Sequence, residues 1–166
     1  MKRNTSFLLA LVCACLLSFS FAHAAEIATR TGLHHTAIAA ASETEATISP
    51  EDLVKALKLG KKGQPLVLNV GPHTLYEQAH IPGAEYIAPG SSEQSNAALH
   101  ARVKNLAHGK FIVIYCGCCP WGRCPNMHPA FAQLHAMGFT NVKMLYIADN
   151  FGTDWVYKGY PTTKGE

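Results

Sequence analysis

The segment Phe111-Ile112-Val113-Ile114-Tyr115 is the strongest constraint on the fold. It is uninterrupted, rich in β-branched and aromatic residues, and too short for a helix, so it reads as a strand. A strand with no polar alternation must be covered on both faces, which is the pattern of a parallel sheet inside a layered α/β domain. It runs directly into Cys116-Gly117-Cys118-Cys119-Pro120-Trp121-Gly122-Arg123-Cys124-Pro125-Asn126, a loop holding four of the chain's six cysteines. A strand, a glycine-containing loop and a following helix point peptide N–H groups at one place, which suits a thiolate or another anion.

The rest of the chain supplies layers for that strand. Ser49-Pro50-Glu51-Asp52 carries a cap, a proline at the first helical position and a capping acid; Leu53, Val54 and Leu57 form an apolar face, and Gly60 is the expected stop. Pro65 to Val70 reads as a second buried strand, and Leu75 to Gln78 as a short helical piece. Ser95 to Leu106 is an amphipathic helix with Leu99, Val103 and Leu106 on one side. After the cysteine loop a helix beginning at Asn126 or His128 carries Phe131 and Leu134 and ends at Gly138; Asn141 to Leu145 is a further strand. Alternating strands and helices predict an α/β fold with a mostly parallel sheet flanked by helices. Sites in such sheets lie beyond the carboxyl ends of strands, where Cys116 falls.

Lys2 and Arg3 followed by an apolar run from Phe7 to Phe21, then Ala22-His23-Ala24, read as a secretory signal peptide over residues 1–24. The run is shorter than the roughly 20 residues a spanning helix needs. Residues 25–48 read as a flexible lead-in, where the pair His34-His35 is assigned no role, and 49–166 as one domain. A periplasmic or secreted location follows, with no membrane span after removal of the leader. The formal net charge of +3, part of it in the leader, points to neither nucleic acid nor an acidic membrane surface. Cys13 and Cys15 fall in the leader, so every other cysteine lies in the loop. A disulfide framework would scatter its cysteines, whereas clustering argues for local chemistry.

His80-Ile81-Pro82-Gly83-Ala84, then Phe111 to Cys116, then Met137-Gly138-Phe139-Thr140-Asn141-Val142, and finally Trp155 with Gly159-Tyr160-Pro161 give the chain from about Ser49 onward a pattern that resembles the rhodanese-like domain family. The resemblance implies a compact α/β domain with a cysteine at the head of the active-site loop and transfer of sulfane sulfur through a cysteine persulfide. Two places depart from it. An Asp-Val-Arg triplet is common after the first buried strand, and here it is Asn69-Val70-Gly71. Arg123 also lies two residues further from Cys116 than the family spacing, so the strand selects Cys116 as nucleophile while the arginine selects Cys118. Core packing fixes the end of a strand and loops absorb insertions, which favours Cys116 and an enlarged loop. A phosphatase of related fold would need its arginine one position earlier than Arg123 relative to Cys116, where Gly122 stands.

These readings assign catalytic roles to Cys116, Cys118 and Cys119, and substrate contact to Arg123, Gly117, Trp121 and Gly122 with the loop amides, while Cys124 joins the resolving thiols. A second thiol attacking the Cys116 persulfide would leave a disulfide. No cofactor is assigned, and no metal is placed in this site. The partners implied are a small sulfur-containing donor, a thiol acceptor and a protein thiol. The alternative is a thiol-disulfide redox or soft-metal-binding module of the same fold, in which the loop cysteines, with His128, face copper(I) or zinc. Against one tetrahedral centre stands the adjacency of Cys118 and Cys119. His80 is expected to pack and hydrogen-bond, and Trp155 with Gly159-Tyr160-Pro161 to hold the C-terminal segment against the sheet.

Overall fold

The computed structural model describes residues 46–165. The leader and all but the end of the lead-in lie outside the described residues. The elements run β1 (Thr47–Ile48), α1 (Pro50–Leu57), β2 (Leu66–Asn69), α2 (His73–Gln78), β3 (Glu85–Tyr86), α3 (Glu93–Val103), β4 (Ile112–Tyr115), a 3-10 turn (Trp121–Arg123), α4 (Met127–Ala136), β5 (Val142–Leu145) and a π-helical turn (Gly152–Val156). The five strands form one parallel sheet in the order β1-β5-β4-β2-β3. The predicted α/β class is therefore the observed one. Among the described residues no helix is long and apolar enough to cross a membrane.

The central strand β4 lies between β2 and β5, with Ile114 opposite Leu68 on one side and Met144 on the other. Strand alternation sends Ile112, Ile114 and Cys116 to one face, where they pack with Leu99, Val103, Met127 and Leu134 of α3 and α4. Val113 and Tyr115 face the other way, against Leu53 of α1, Tyr76 of α2, Phe151 and Trp155. Both faces of β4 are thus buried, as its unbroken apolar sequence requires.

Three expectations shift by a few residues, each for a local reason. Order begins before Ser49, because Thr47 and Ile48 pair with Met144 and Leu145 at the sheet edge. Helix α1 is capped by Ser49, whose hydroxyl accepts the Asp52 N–H at 3.1 Å, but it ends at Leu57 and not at Gly60. The Gln64 side chain donates to the Leu57 carbonyl at 2.6 Å and so satisfies the helix end early. Helix α4 starts at Met127 and contains both His128 and Pro129. Proline is tolerated there because first-turn N–H groups have no partner within the helix.

The C-terminal segment is fixed from two sides. Trp155 is fully buried and its Nε1 donates to the Pro161 carbonyl at 2.8 Å. His80 and Thr163 exchange two backbone hydrogen bonds of 2.9 Å, which lay the tail beside the loop after α2. Buried His80 donates through Nδ1 to the Tyr76 carbonyl at 2.9 Å and stacks on the Tyr76 ring. It is a packing residue, as expected.

Candidate active site: a cluster of four thiols

Cys116 is the first residue beyond β4, so the packing of the sheet centre sets its position. It is 4 % exposed. Two glycines let the chain come this close. A Cβ on Gly71 would stand 2.7 Å from the Cys116 carbonyl oxygen and 3.1 Å from its Sγ. The departure from an arginine at Gly71 is thus a steric requirement of this loop. Asn69 makes the same turn, its side-chain oxygen accepting the Gly71 N–H at 2.9 Å. Gly117 has φ of 73°, a left-handed value that favours glycine, and a Cβ there would meet Phe151 Cβ at 2.6 Å.

The loop folds back so that its thiols meet. Cys116 Sγ is 3.1 Å from Cys118 Sγ, which is 3.1 Å from Cys119 Sγ. The Sγ atoms of Cys116, Cys118 and Cys124 all lie within 4.8 Å of one another. All four cysteines are free thiols. Both claimants of the register conflict, Cys116 and Cys118, bring their sulfurs to one site, and Cys116 is the one that directly follows the central strand.

Sequence reasoning missed Asn126. Its Nδ2 donates to Cys116 Sγ at 3.3 Å, while its Oδ1 accepts from the Ser91 hydroxyl at 3.0 Å and from the Ser91 N–H at 3.3 Å. Ser91 therefore sets which end of the amide faces the sulfur. The available signal was an asparagine immediately before a helix.

The amides divide differently from a cradle around one sulfur. Those of Trp121, Arg123 and Cys124 bond to the carbonyls of Ala148, Pro120 and Trp121. The Cys118 N–H reaches Cys116, and the N–H groups of Asn126 and Met127, at the start of α4, reach Cys124. A hydrogen bond from the Cys116 thiol, these two amides and the Cys119 thiol hold the Cys124 thiol down at about 5 despite burial. The same bond to Cys124, and burial, push Cys116 far up, while burial and neighbouring thiols push Cys119 up to about 12. Of the thiols in the cluster, the surroundings favour negative charge at Cys124 and disfavour it at Cys116 and Cys119.

A folded value below the ordinary one means that Cys124 ionisation stabilises the native state fully above the usual thiol range. That contribution falls away as pH drops through about 5. In the reduced protein, ultraviolet titration is expected to show one thiolate at pH 7 that disappears near pH 5 and is missing in Cys124→Ser. A thiolate that titrates in the ordinary thiol range would contradict this assignment.

Cys116, Gly117 and Cys118 line a cleft of about 580 Å³ with Asn69, Tyr115, Phe151 and Lys164. Trp121 borders a small void behind the cluster with Cys119 and Cys124, and its ring packs against Tyr146 and His128. Arg123 and Gly122 are exposed on the 3-10 turn and line neither space. The cation bordering the cleft is Lys164, carried there by the tail, and nothing in the local sequence marked it.

The family model that describes the rhodanese-like domain matches residues 49–146, more than half of the chain. The chain belongs to the rhodanese-like domain family. That family includes sulfurtransferases. Solved structures of similar fold include the BH2092 protein from Bacillus halodurans, with 24 % identity, 79 % of this chain and 85 % of that one covered, and a TM-score of 0.59. A full-length protein from Lactobacillus plantarum gives 18 % identity, coverage of 82 % and 97 %, and a TM-score of 0.55. A protein from Anabaena sp. gives 20 %, coverage of 71 % and 92 %, and 0.54. At these identities the likeness is one of fold. No curated protein matches the chain. In this rhodanese-like domain the loop after β4 carries a thiol cluster, with Asn126 and the start of α4 as its hydrogen-bonding support.

Proposed function

We propose that this protein is an exported sulfurtransferase that carries sulfane sulfur as a persulfide on Cys116. The observation that carries the reading is the place of Cys116, fixed at the end of the central strand on the wall of a cleft, with a second thiol 3.1 Å away. The Cys116 thiol donates to Cys118 Sγ at 3.1 Å, and Cys124 Sγ lies within 4.8 Å of both. Loss of the Cys116 proton to solvent through the cleft leaves a thiolate supported by the Asn126 amide and the Cys118 N–H.

With an anionic donor such as thiosulfate, the Cys116 thiolate attacks the outer sulfur. A Cys116 S–S bond forms, the donor S–S bond breaks, and sulfite leaves with the bonding pair. Lys164 gives the cleft a positive charge for such a donor. An acceptor thiolate then takes the outer sulfur and Cys116 returns to a thiolate. In a second exit, Cys118 attacks the inner sulfur, hydrosulfide leaves, and a Cys116–Cys118 disulfide remains. Two electrons from a partner dithiol, itself oxidised to a disulfide, restore the thiols. The same proposal takes residues 1–24 as a leader and 25–48 as a lead-in, and so a periplasmic or secreted location; the basic start, apolar run and small residues of 1–24 support it.

The test is mass spectrometry of the reduced protein after incubation with thiosulfate. One added sulfur is expected on the peptide containing Cys116, removable by a small thiol, and none in Cys116→Ser. Sulfur loading that persists in Cys116→Ser, or its absence from the reduced wild type, would overturn the assignment.

A further inference from the structure

We propose that Cys116, Cys118 and Cys124 form a three-sulfur site for one copper(I) ion. The objection from sequence was that Cys118 and Cys119 cannot easily share a tetrahedral centre. The fold answers it, because the group of sulfurs that meets Cys116 is Cys118 and Cys124, while Cys119 touches Cys118 at 3.1 Å from outside that group. A trigonal ion with metal–thiolate bonds of about 2.3 Å needs its sulfurs about 4 Å apart. The three Sγ atoms already lie within 4.8 Å of one another, and the 3.1 Å pair Cys116–Cys118 must open by less than the length of a bond.

The donor set selects the ion. All three ligands are thiols, with no imidazole or carboxylate in the group. Soft sulfur ligands in low coordination number suit copper(I), whereas structural zinc takes four ligands. The surroundings fit a sulfur-bound cation. Asn126 Nδ2 and the Cys118 N–H point at Cys116 Sγ, and the first amides of α4 at Cys124 Sγ, so the ligands have an outer layer of donors that orients them and disperses thiolate charge. Met127, Leu145, Ile147 and Trp121 line a small void against the cluster and give it an apolar side, while the cleft leaves an entry path. Cys116 is anchored by the sheet, Cys124 by the approach to α4, and Cys118 sits between them on the loop, free to adjust. On binding, remaining thiol protons leave to solvent and no electron is transferred.

Copper(I) and a persulfide would compete for the Cys116 sulfur, yet the two readings fail separately, since metal binding is measured with no sulfur donor present. The experiment is an anaerobic titration of the reduced protein with copper(I) against a chromogenic copper(I) chelator, followed by X-ray absorption on the loaded wild type. One chelator-resistant ion per chain is expected, with three sulfur neighbours at about 2.3 Å. Cys116→Ser, Cys118→Ser and Cys124→Ser should each weaken binding by more than the roughly 10- to 100-fold that loss of an outer-layer partner causes, and Cys119→Ser, which removes a neighbour of two ligands, should stay within that range. Circular dichroism identifies any variant that fails to fold, and for that position the sulfur count of the wild type decides. Absence of chelator-resistant copper, a count of two or four sulfurs, equal damage from Cys119→Ser, or displacement of copper by equimolar zinc would each overturn the proposal.

Discussion

Gly90→Ala is expected to disable the thiol cluster from behind while leaving every cysteine in place. A Cβ on Gly90 would stand 2.1 Å from the Asn126 carbonyl oxygen and 3.0 Å from its carbonyl carbon. The obstacle is backbone at the entry to α4, so it cannot rotate away. Overpacking of this kind costs about 1–3 kcal/mol and sometimes more. The displaced residue is the one whose Nδ2 reaches Cys116 and whose N–H reaches Cys124. Denaturant melts should therefore show a lower midpoint, and persulfide formation on thiosulfate should fall at least about tenfold, as expected when a charge-supporting hydrogen bond is lost. Gly109→Ala, with nothing within 4 Å of its new Cβ, is the control. If Gly90→Ala matches that control in both measurements, the close approach of these two segments is not as described.

Trp155→Ala should be the most damaging single change outside the site. The residue is fully buried, its ring lies 5.7 Å from Phe151 and 5.1 Å from Tyr160 between centroids, and its Nε1 fastens Pro161. Truncating a buried aromatic of this size costs about 3–5 kcal/mol. The functional effect runs through the tail, because Thr162 and Lys164 reach the cleft only while the tail is held. Affinity for an anionic donor should fall more than the rate at saturation. Trp155→Phe, which keeps most of the ring but loses the hydrogen bond, should cost only about 1 kcal/mol. A stability loss of that smaller size in Trp155→Ala would mean that the ring carries little of the packing.

What could be read from the sequence follows from how locally each feature is determined. The apolar run through Tyr115 announced a strand buried on both faces, and strand alternation alone placed Cys116 at its end. The cap at Ser49 was legible because it is made by neighbours in the chain. Residues whose partners lie far away were not. Thr47 and Ile48 are a strand only because β5 runs beside them. Gln64 ends α1 from outside the helix. Arg123 was legible by motif and sits exposed on the 3-10 turn, whereas Lys164, a residue with no local signature, borders the cleft because the tail carries it there. Cys124 was read as one spare thiol among several, and the amides that single it out belong to a helix start that the sequence left open between Asn126 and His128.

The absent side chain at Gly71 also gives the nucleophile a direction. On that side Cys116 rests against the backbone that leaves β2, with Asn126 and Cys118 beside its sulfur. The roomy space that Cys116 borders is the cleft, so a sulfur atom carried there, as proposed, would be held off the backbone of β2 and turned toward an incoming partner.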